Sequence, residues 1–460
     1  MLKLNKIKEN YTKQKSNFIM TKKNLILLTL SIILMFAPQL CAEGFSIFEL
    51  GARAATLGGA FVARVDDASA IYYNPAGLAY LKGFKFKLNL TYDYLTTKAN
   101  TLNPEVIYKS SPIQIRGSYY LTWHLSERFS LGLGAFVPYL GAISWPWNWP
   151  GRPLASNAKL DSYYIRPVVA VKVIKGLVLG LGLDFVSTHI EWMHAQPVQA
   201  EYYNIFMDSR ISVKGNGTGF VTSLLWKINE KLHIGAKYQH KVSIDLEGDN
   251  LFYNLDDNDL IHLPNPSDCP NPISPPTKTV QNVFSHITMP TEVVFGFFYA
   301  PADRLGIHLD FKRNNWSQLG KLEFMGGRNS TGNSDGTSHD SFYQSIDLSW
   351  KDTWKIMFGL EYRISQFCAF RTGYSYHKSA VRNSAIHPAS PDFDQNTVSF
   401  GFGYEGPFFS IWDSEKAGEL SFDVYFQYVI SDDITSSLPV FAFSYDADRW
   451  IVGVGIGLGF

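Results

Sequence analysis

The sequence predicts an all-β fold, a transmembrane antiparallel β-barrel of about 14 strands. Three observations support this prediction: the composition, a repeated alternation of apolar with small residues, and a regular exchange of short with long connections. The 460 residues are 46% hydrophobic and 15% aromatic, which excludes intrinsic disorder, yet a polytopic helical membrane protein would be more apolar. Acidic and basic residues each number 41, so no basic surplus indicates a nucleic-acid partner.

Residues 1–42 have the layout of a secretory signal peptide. Two lysines precede an uncharged apolar stretch at 25–37, and a small-residue cleavage site follows at Ala42. About 13 apolar residues are too few to span a bilayer, which favours cleavage over a membrane anchor. Translation from Met20 would still produce a complete signal, and acylation of Cys41 is a weaker alternative. Together with the predicted barrel, this signal leads us to expect export to the outer membrane of a Gram-negative-type bacterium.

The C-terminal strand is the clearest element of the barrel. Between Trp450 and Phe460 the even positions carry large apolar side chains, whereas four of the five odd positions are glycine. One face suits lipid and the other leaves room inside a barrel. A soluble β-sandwich could share this alternation, so the lengths of the connections are needed to distinguish it from a membrane barrel. The same alternation recurs at Leu131, Leu133, Ala135 and Val137, at Leu177, Leu179, Leu181, Leu183 and Phe185, and at Trp354, Ile356, Phe358, Leu360 and Tyr362.

The connections alternate between tight turns and long polar segments. Short turns are predicted at 125–128, 173–176, 228–231, 300–304 and 364–367. Long segments are predicted near 98–110, 144–158, 196–210, 248–286, 326–342, 378–396 and 431–448. Outer-membrane barrels have tight periplasmic turns and long external loops, and seven long loops correspond to about 14 strands. The stretch 406–419 is the one oversized turn.

Residues 43–82 do not read as a wall strand. They lack sustained alternation and are rich in alanine and glycine, which are too small for a lipid-facing surface. Asn74, Pro75 and Ala76 form a turn signal, since asparagine can bond its own downstream backbone and proline fixes φ. Two interpretations stay open from the residues alone: a leader to the first strand with a surface turn, or a segment that packs inside the lumen.

A series of short motifs resembles the FadL/TodX-type family of outer-membrane transporters for long-chain fatty acids and other hydrophobic compounds. In chain order the motifs are Gly51-Ala52-Arg53, Gly58-Gly59-Ala60, Asp66-Asp67-Ala68-Ser69-Ala70, Tyr73-Asn74-Pro75-Ala76-Gly77-Leu78, Trp147-Asn148-Trp149-Pro150-Gly151-Arg152, Gly235-Ala236-Lys237-Tyr238, Asp310 with Asn315-Trp316-Ser317, Trp350-Lys351-Asp352-Thr353-Trp354, Arg371-Thr372-Gly373-Tyr374 and Ser390-Pro391-Asp392. Each motif is weak by itself, and their order along the chain is specific. The resemblance implies an N-terminal hatch at 43–82 that plugs the lumen of a barrel at 83–460.

The resemblance also implies a transport route. A hydrophobic molecule would be captured by external loops, bind in an apolar lumenal site and leave sideways through a gap made by a kink in the third strand. Here Pro138 and Gly141 interrupt that strand, because proline removes a ladder donor and glycine permits a bend. The alternative is that both residues only end the strand at the membrane surface. Passive diffusion suffices, since burial of apolar surface is itself favourable.

Trp145, Trp147 and Trp149 lie at the start of a long loop, where two interpretations compete. They would form either an aromatic girdle at the lipid interface or a site where ligand first lands. The girdle is the safer of the two.

No catalytic or metal site is predicted. His189 and His194 face opposite sides of a strand, so with Glu191 they cannot chelate one ion together. No serine or cysteine lies in a recognisable nucleophile motif, and no cofactor is expected. We also expect Cys269 and Cys368 to be free thiols.

The function predicted from the sequence is outer-membrane transport of a hydrophobic ligand, a fatty acid, lipid or aromatic hydrocarbon. A general diffusion porin and a surface adhesin or structural barrel are the alternatives. A porin lumen should present rings of charge, whereas the inward positions here are rich in glycine, serine and aromatic residues. The expected partners are outer-membrane lipid and the barrel-assembly machinery, and the expected state is a monomer.

Overall fold

A computed structural model describes residues 46–47, 49–101, 106–199, 204–253, 279–326, 343–382, 386–409, 417–436 and 443–460. The predicted signal peptide, Cys269 and most of the 248–286 segment lie outside these residues. The described strands are β1 (Ser46–Ile47), β2 (Phe84–Thr101), β3 (Ile107–Ser110), β4 (Ile113–His124), β5 (Phe129–Ser144), β6 (Asn157–Ile174), β7 (Leu177–Gln199), β8 (Asn204–Lys227), β9 (Leu232–Gln239), β10 (Val242–Tyr253), β11 (Thr279–Met289), β12 (Glu292–Ala302), β13 (Leu305–Asn314), β14 (Lys321–Gly326), β15 (Tyr343–Asp347), β16 (Thr353–Arg363), β17 (Cys368–His377), β18 (Gln395–Phe409), β19 (Ala417–Ser431), β20 (Ile434–Thr435) and β21 (Phe443–Gly459).

These segments build a closed antiparallel barrel of 14 wall strands, as predicted. Five wall strands are interrupted, so that β3 and β4, β9 and β10, β11 and β12, β13 and β14, and β15 and β16 each form one wall strand in two pieces. The ring closes where β2 pairs with β21 along their whole length, from Lys85 opposite Gly459 to Thr101 opposite Phe443. Closure leaves no free edge at this seam.

The alternation of side chains follows the prediction along most of the wall. In β21 the glycines are buried on the lumen side, while Trp450 to Leu458 at the even positions face outward. In β7 the outward side chains are strongly exposed, and Leu181 reaches 52%. Val137 contradicts the prediction. It was expected to face outward with Leu131 and Leu133, but it is only 2% exposed because β5 changes direction there.

The tight turns also agree with the prediction. β4 and β5 are joined by residues 125–128, β8 and β9 by 228–231, and β16 and β17 by 364–367. Four predicted long loops are wrong in extent, since β2 continues to Thr101, β7 to Gln199 and β10 to Tyr253, and β21 already begins at Phe443. Polar residues on strands that rise beyond the bilayer are easily taken for loops, because neither face carries the lipid signal there.

The N-terminal segment, defined here as residues 49–82, contains the short helices α1 (Ala52–Thr56) and α2 (Ala70–Tyr73) and a 3-10 helix, Pro75–Tyr80. A second 3-10 helix, Trp316–Gln318, follows β13. Among the described residues, no helix is long and apolar enough to cross a membrane. Nearly every residue from Leu50 to Ala79 is buried against lumen-facing side chains, so the segment occupies the interior of the ring.

Candidate functional site

Backbone and side-chain hydrogen bonds hold the N-terminal segment against the wall. Asp310 of β13 accepts hydrogen bonds from the backbone N–H groups of Phe61 and Val62, both at 2.7 Å. On the opposite side, Gln427 of β19 donates to the carbonyl oxygen of Ala55 at 3.0 Å. Wall glycines permit this close approach, because a Cβ at Gly359 would lie 2.8 Å from Leu57 Cβ.

The predicted Asn74 turn is fully buried and is not a surface turn. The Asn74 side-chain oxygen accepts from the Ala76 N–H at 3.1 Å, as the turn signal predicts. Its amide group donates to the carbonyl oxygens of Val62, at 2.7 Å, and of Leu224 in β8, at 3.0 Å. Asn74 therefore links two parts of the N-terminal segment, at Val62 and Ala76, to strand β8 of the wall. Neither Asn74, Pro75 nor Ala76 lines the two lumenal cavities described below.

A network of ion pairs fills the space between the segment and the wall on the side of the tight turns. Arg53 contacts Glu361 at 3.0 Å, and Lys87 contacts both Asp67, at 2.6 Å, and Asp423, at 2.7 Å. Burial alone would raise the pKa of Asp67, but its ion pair with Lys87 lowers that pKa below the ordinary value. Buried, mutually compensated charges make this side of the lumen unfavourable for an apolar solute.

β5 leaves the regular ladder at the residues that were predicted to kink the third strand. Its pairing with β4 ends at Tyr119 opposite Ala135, and its register with β6 shifts between Phe136 and Tyr139. Pro138 lies inside this shift and Gly141 follows it. All eight residues from Phe136 to Ile143 are buried, so neither face of this half of β5 meets lipid.

The break leaves the upper part of β4 without its neighbour. Residues Ile113 to Ser118 pair with β2 on one side and have no ladder partner in β5. The edge of β5 is instead occupied by β1, whose Ser46 and Ile47 pair with Leu140 and Tyr139. We name the region between residues 113–118 of β4 and 136–144 of β5 the wall gap. A two-residue strand from the N-terminal end of the described chain therefore lies beside this gap.

An apolar cavity lies directly behind the bend of β5. Gly141 lines it together with side chains from β6, β7, β14 and β15 and from the loop that precedes β18. Its apolar lining residues are Ala158, Leu160, Ile190, Trp192, Leu322, Ile346, Leu348 and Ala389, while Lys159, Glu191 and Ser390 form a smaller polar part. Such a lining suits a hydrocarbon, because a concave apolar surface gains from excluding water.

A second cavity lies on the long-loop side of the N-terminal segment and has a mixed lining. Its apolar part includes Ile143 of β5 and Trp316, Trp350 and Phe393. Its polar part includes Lys355, which contacts Glu49 at 2.8 Å. The lysine and arginine side chains of this cavity are paired with carboxylates: Lys312 with Glu292, Lys355 with Glu49, and Arg449 with Asp93.

The amino-acid sequence is similar to those of known outer-membrane proteins over most of its length. Residues 33–456 match the family described as outer membrane protein transport protein (OMPP1/FadL/TodX). The chain belongs to this family. Outer membrane protein P1 of Haemophilus influenzae is 22% identical over 424 residues, which cover 81% of this chain and 85% of the relative. The 47 kDa outer membrane protein of Pasteurella multocida is 22% identical over 397 residues, covering 81% and 86%.

Solved structures share the fold of this member of the OMPP1/FadL/TodX family. A FadL homologue of Pseudomonas aeruginosa superposes with a TM-score of 0.76 at 18% identity and covers 91% of this chain and all of its own. The toluene transporter TodX of Pseudomonas putida gives 0.70 at 16% identity, covering 90% and 99%. The protein is thus an outer-membrane β-barrel of a transport family, as the sequence predicted.

The three loop tryptophans are not equivalent in this member of the OMPP1/FadL/TodX family. Trp145 and Trp149 are 5% and 1% exposed and stack on each other with ring centroids 4.6 Å apart. Their indole N–H groups donate to the carbonyl oxygens of Pro388 and Ala155, both at 3.0 Å. The girdle interpretation is therefore wrong for these two residues, because they face the loops and not lipid. Trp147, in contrast, is 61% exposed.

The histidines considered for a metal site are dispersed. His189 lies 3.6 Å from Glu191, whereas His194 stacks on Trp192 with centroids 4.1 Å apart. Across the described residues, no group of three or more histidine, cysteine, aspartate or glutamate side chains is arranged to hold a metal ion. Cys368 is a free, exposed cysteine at the start of β17.

Sequence reasoning missed the polar groups that meet the N-terminal segment and the mixed cavity. A signal was present in β13, where every even position from Gly306 to Asn314 is small or polar and every odd position except Arg313 is apolar. This pattern marks His308, Asp310 and Lys312 as lumen-facing. Their partners could not be read from it, because Asp310 and Phe61 are 249 residues apart in the chain.

Proposed function

We propose that this protein carries hydrophobic compounds across the outer membrane by passive diffusion, through the lumenal cavities and sideways out of the wall gap. The observation that supports the proposal most is the position of Gly141. It belongs to the part of β5 that has left its pairing with β4, and it also lines the apolar cavity. The same bend thus opens the ladder and forms the binding surface behind the opening.

The energetics favour a sideways exit over passage through the whole lumen. An apolar body gains roughly 25 cal/mol per Å² on leaving water, and it would keep that gain on moving from an apolar cavity into bilayer. The route towards the tight turns meets the buried ion pairs of Arg53, Lys87 and Asp67. Separating those charges would cost several kcal/mol with no return for an apolar solute.

Two ligand classes fit this route, long-chain fatty acids and aromatic hydrocarbons. Fold neighbours include a toluene transporter and a monoaromatic hydrocarbon channel. The mixed cavity adds a place for an anionic group, since Lys355 lies among Ile143, Trp316 and Trp350. A carboxylate would have to compete with Glu49 for Lys355, whereas a neutral hydrocarbon would leave that pair intact.

The test is uptake by cells that carry a straightened β5. Pro138→Val together with Gly141→Val restores a ladder donor and adds two β-branched side chains, both of which favour continuous pairing with β4. Uptake of a radiolabelled long-chain fatty acid and of radiolabelled toluene should fall to near the background of cells that lack the protein. Pro407→Val in the regularly paired β18 is the matched control and should transport as the parent does.

The heat-modifiable mobility of both variants on gels should stay normal, which separates lost transport from lost folding. Undiminished uptake of both compounds by the β5 variant would show that the wall gap is not the exit. A fall for one compound alone would assign that ligand class to the gap.

A further inference from the structure

The wall has a second discontinuity, between β8 and the strand formed by β9 and β10. β8 pairs with β9 from Val221 opposite Gln239 downwards, and with β10 from Lys214 opposite Glu247 upwards. Between these two ladders, residues 215–219 of β8 have no ladder partner in residues 241–246. Only the His240 N–H, which donates to the Phe220 carbonyl oxygen at 2.9 Å, bridges the lower end.

Glycines at alternate positions of β8 explain the geometry. A Cβ at Gly217 would lie 2.7 Å from both Ile244 Cγ1 and Val242 Cγ1, and 2.9 Å from the Ser243 carbonyl oxygen. Glycine has no Cβ, so β10 can pass across the lumen-facing side of β8 instead of beside it. Val242 and Ile244 are completely buried as a result.

This displacement leaves a groove of about 750 Å³ on the outer surface, where β10 would otherwise complete the wall. Its apolar part is formed by Tyr163, Ile165 and Phe185, which are all among the exposed large side chains of the wall. Its polar part includes Thr218, Lys241 and hydroxyl or amide groups beside them. The groove is thus open to the bilayer and has one apolar part and one polar part.

The height of the groove matches the headgroup level of the outer leaflet. Phe185, Thr218 and His240 each lie eight or nine residues beyond the tight turn of their strand. At about 3.3 Å per residue and a tilt near 40°, this is roughly 20–25 Å from the turns, the upper limit of an apolar band about 25 Å tall.

The groove has a positively charged side chain, which favours a negatively charged lipid headgroup. Lys241 lines it and is exposed, and no carboxylate of the described chain is among its lining residues. The nearest outward carboxylate along β10, Asp245, is engaged by His286 at 2.8 Å. We propose that this groove is a binding site for a lipid of the outer leaflet whose phosphate headgroup has a net negative charge, with an acyl chain on Ile165 and Phe185 and the phosphate at Lys241.

Native mass spectrometry of the full chain in mild detergent tests the site. Protein is titrated with phosphatidylglycerol and, separately, with phosphatidylcholine of the same acyl chains. We expect one tightly retained phosphatidylglycerol and weaker phosphatidylcholine binding. Lys241→Glu should weaken the phosphatidylglycerol complex about fivefold or more, the effect of one cation at an anionic lipid surface. Lys109→Glu, at a lysine on β3 that is also exposed, should leave the complex unchanged.

A second variant tests the groove itself. Thr218 lines the groove from the exposed face of β8, so Thr218→Trp should fill the groove and the retained lipid should be lost. Excess inorganic phosphate should not displace the lipid, because the apolar part contributes independently of the headgroup. Equal retention by parent and Lys241→Glu, or equal affinity for both lipids, would overturn the proposal. Gel heat-modifiability confirms that each variant is folded, and if Thr218→Trp is not, the two lysine variants decide alone.

Discussion

At the scale of single residues, Asp310 holds two consecutive backbone N–H groups of the N-terminal segment against the wall. It is 1% exposed, and one of its carboxylate oxygens accepts both the Phe61 and the Val62 N–H. Asp310→Ala would leave two buried donors without an acceptor, at about 1–3 kcal/mol each. We expect hydrogen exchange at the amides of residues 61 and 62 to rise by at least tenfold, while exchange in β2 and β21 stays slow.

Asp310→Asn is the control for this prediction. It removes the charge but keeps an oxygen that can accept from the same amides, so most of the protection should remain. Exchange in Asp310→Ala that equals the parent's would show that the segment is held by packing alone.

For single residues, the sequence predicted local contacts but not contacts with residues distant in the chain. The Asn74 turn was predictable, because its first bond is local and reaches only Ala76. The bonds from Asn74 to Val62 and Leu224 were not, since no local pattern specifies a partner 150 residues away. For Trp149 the girdle was favoured over a ligand landing site because indole suits the lipid interface, whereas Phe443, with its ring centroid 4.4 Å away, buries Trp149 among the loops.

At the scale of elements, the contact between the N-terminal segment and β2 should depend on pH. The pKa of Asp67 is lowered because its pairing with Lys87 outweighs burial. A carboxyl group with a lowered pKa stabilises the folded state above its ordinary pKa of about 4, and that stabilisation is lost as the pH falls through the lowered value. We therefore expect the segment to loosen only at acid pH, seen as a rise in planar-bilayer conductance below about pH 4.

Asp67→Asn separates this effect from general acid unfolding. The variant has no carboxylate to protonate, so its conductance should already be raised at neutral pH and should change less on acidification. A parent and a variant with the same pH profile would assign the acid response to other carboxylates.

Elements defined by local signals were predictable from the sequence, and elements defined by a neighbour were not. The turn at 228–231 and the alternation of β21 depend on residues within one hairpin or one strand. The inward path of β10 depends on Gly217 of another strand, whose meaning appears only when Ile244 lies against it. For β5, Pro138 and Gly141 indicated an interruption. No sequence signal indicated that β1 would replace β4 as the strand paired with the second half of β5.

At the scale of the whole molecule, the strand count was predictable because it is a sum of local signals and needs no knowledge of partners. The contents of the lumen were not, because they depend on contacts such as Arg53 with Glu361, 308 residues apart. The ring itself closes through the long ladder between β2 and β21, to which the N-terminal segment contributes no strand. The wall and its contents are therefore separable in experiment.

Because no wall strand lies within residues 44–80, we expect that these residues can be deleted without loss of the barrel. Removal of these residues takes away β1 with its pairing to β5, α1, α2 and the side chains of Arg53 and Asp67, while every ladder among β2 to β21 is kept. The vacated lumen would be lined by charged and polar groups and would fill with water, so ions should pass. We expect single-channel conductance in planar bilayers to rise from a small, unsteady value in the parent to a large and steady one in the deletion variant. Heat-modifiability on gels checks that the variant has closed into a barrel. A large steady conductance in the parent would favour the general diffusion porin, and an unchanged conductance after deletion would mean that the N-terminal segment is not what closes the lumen.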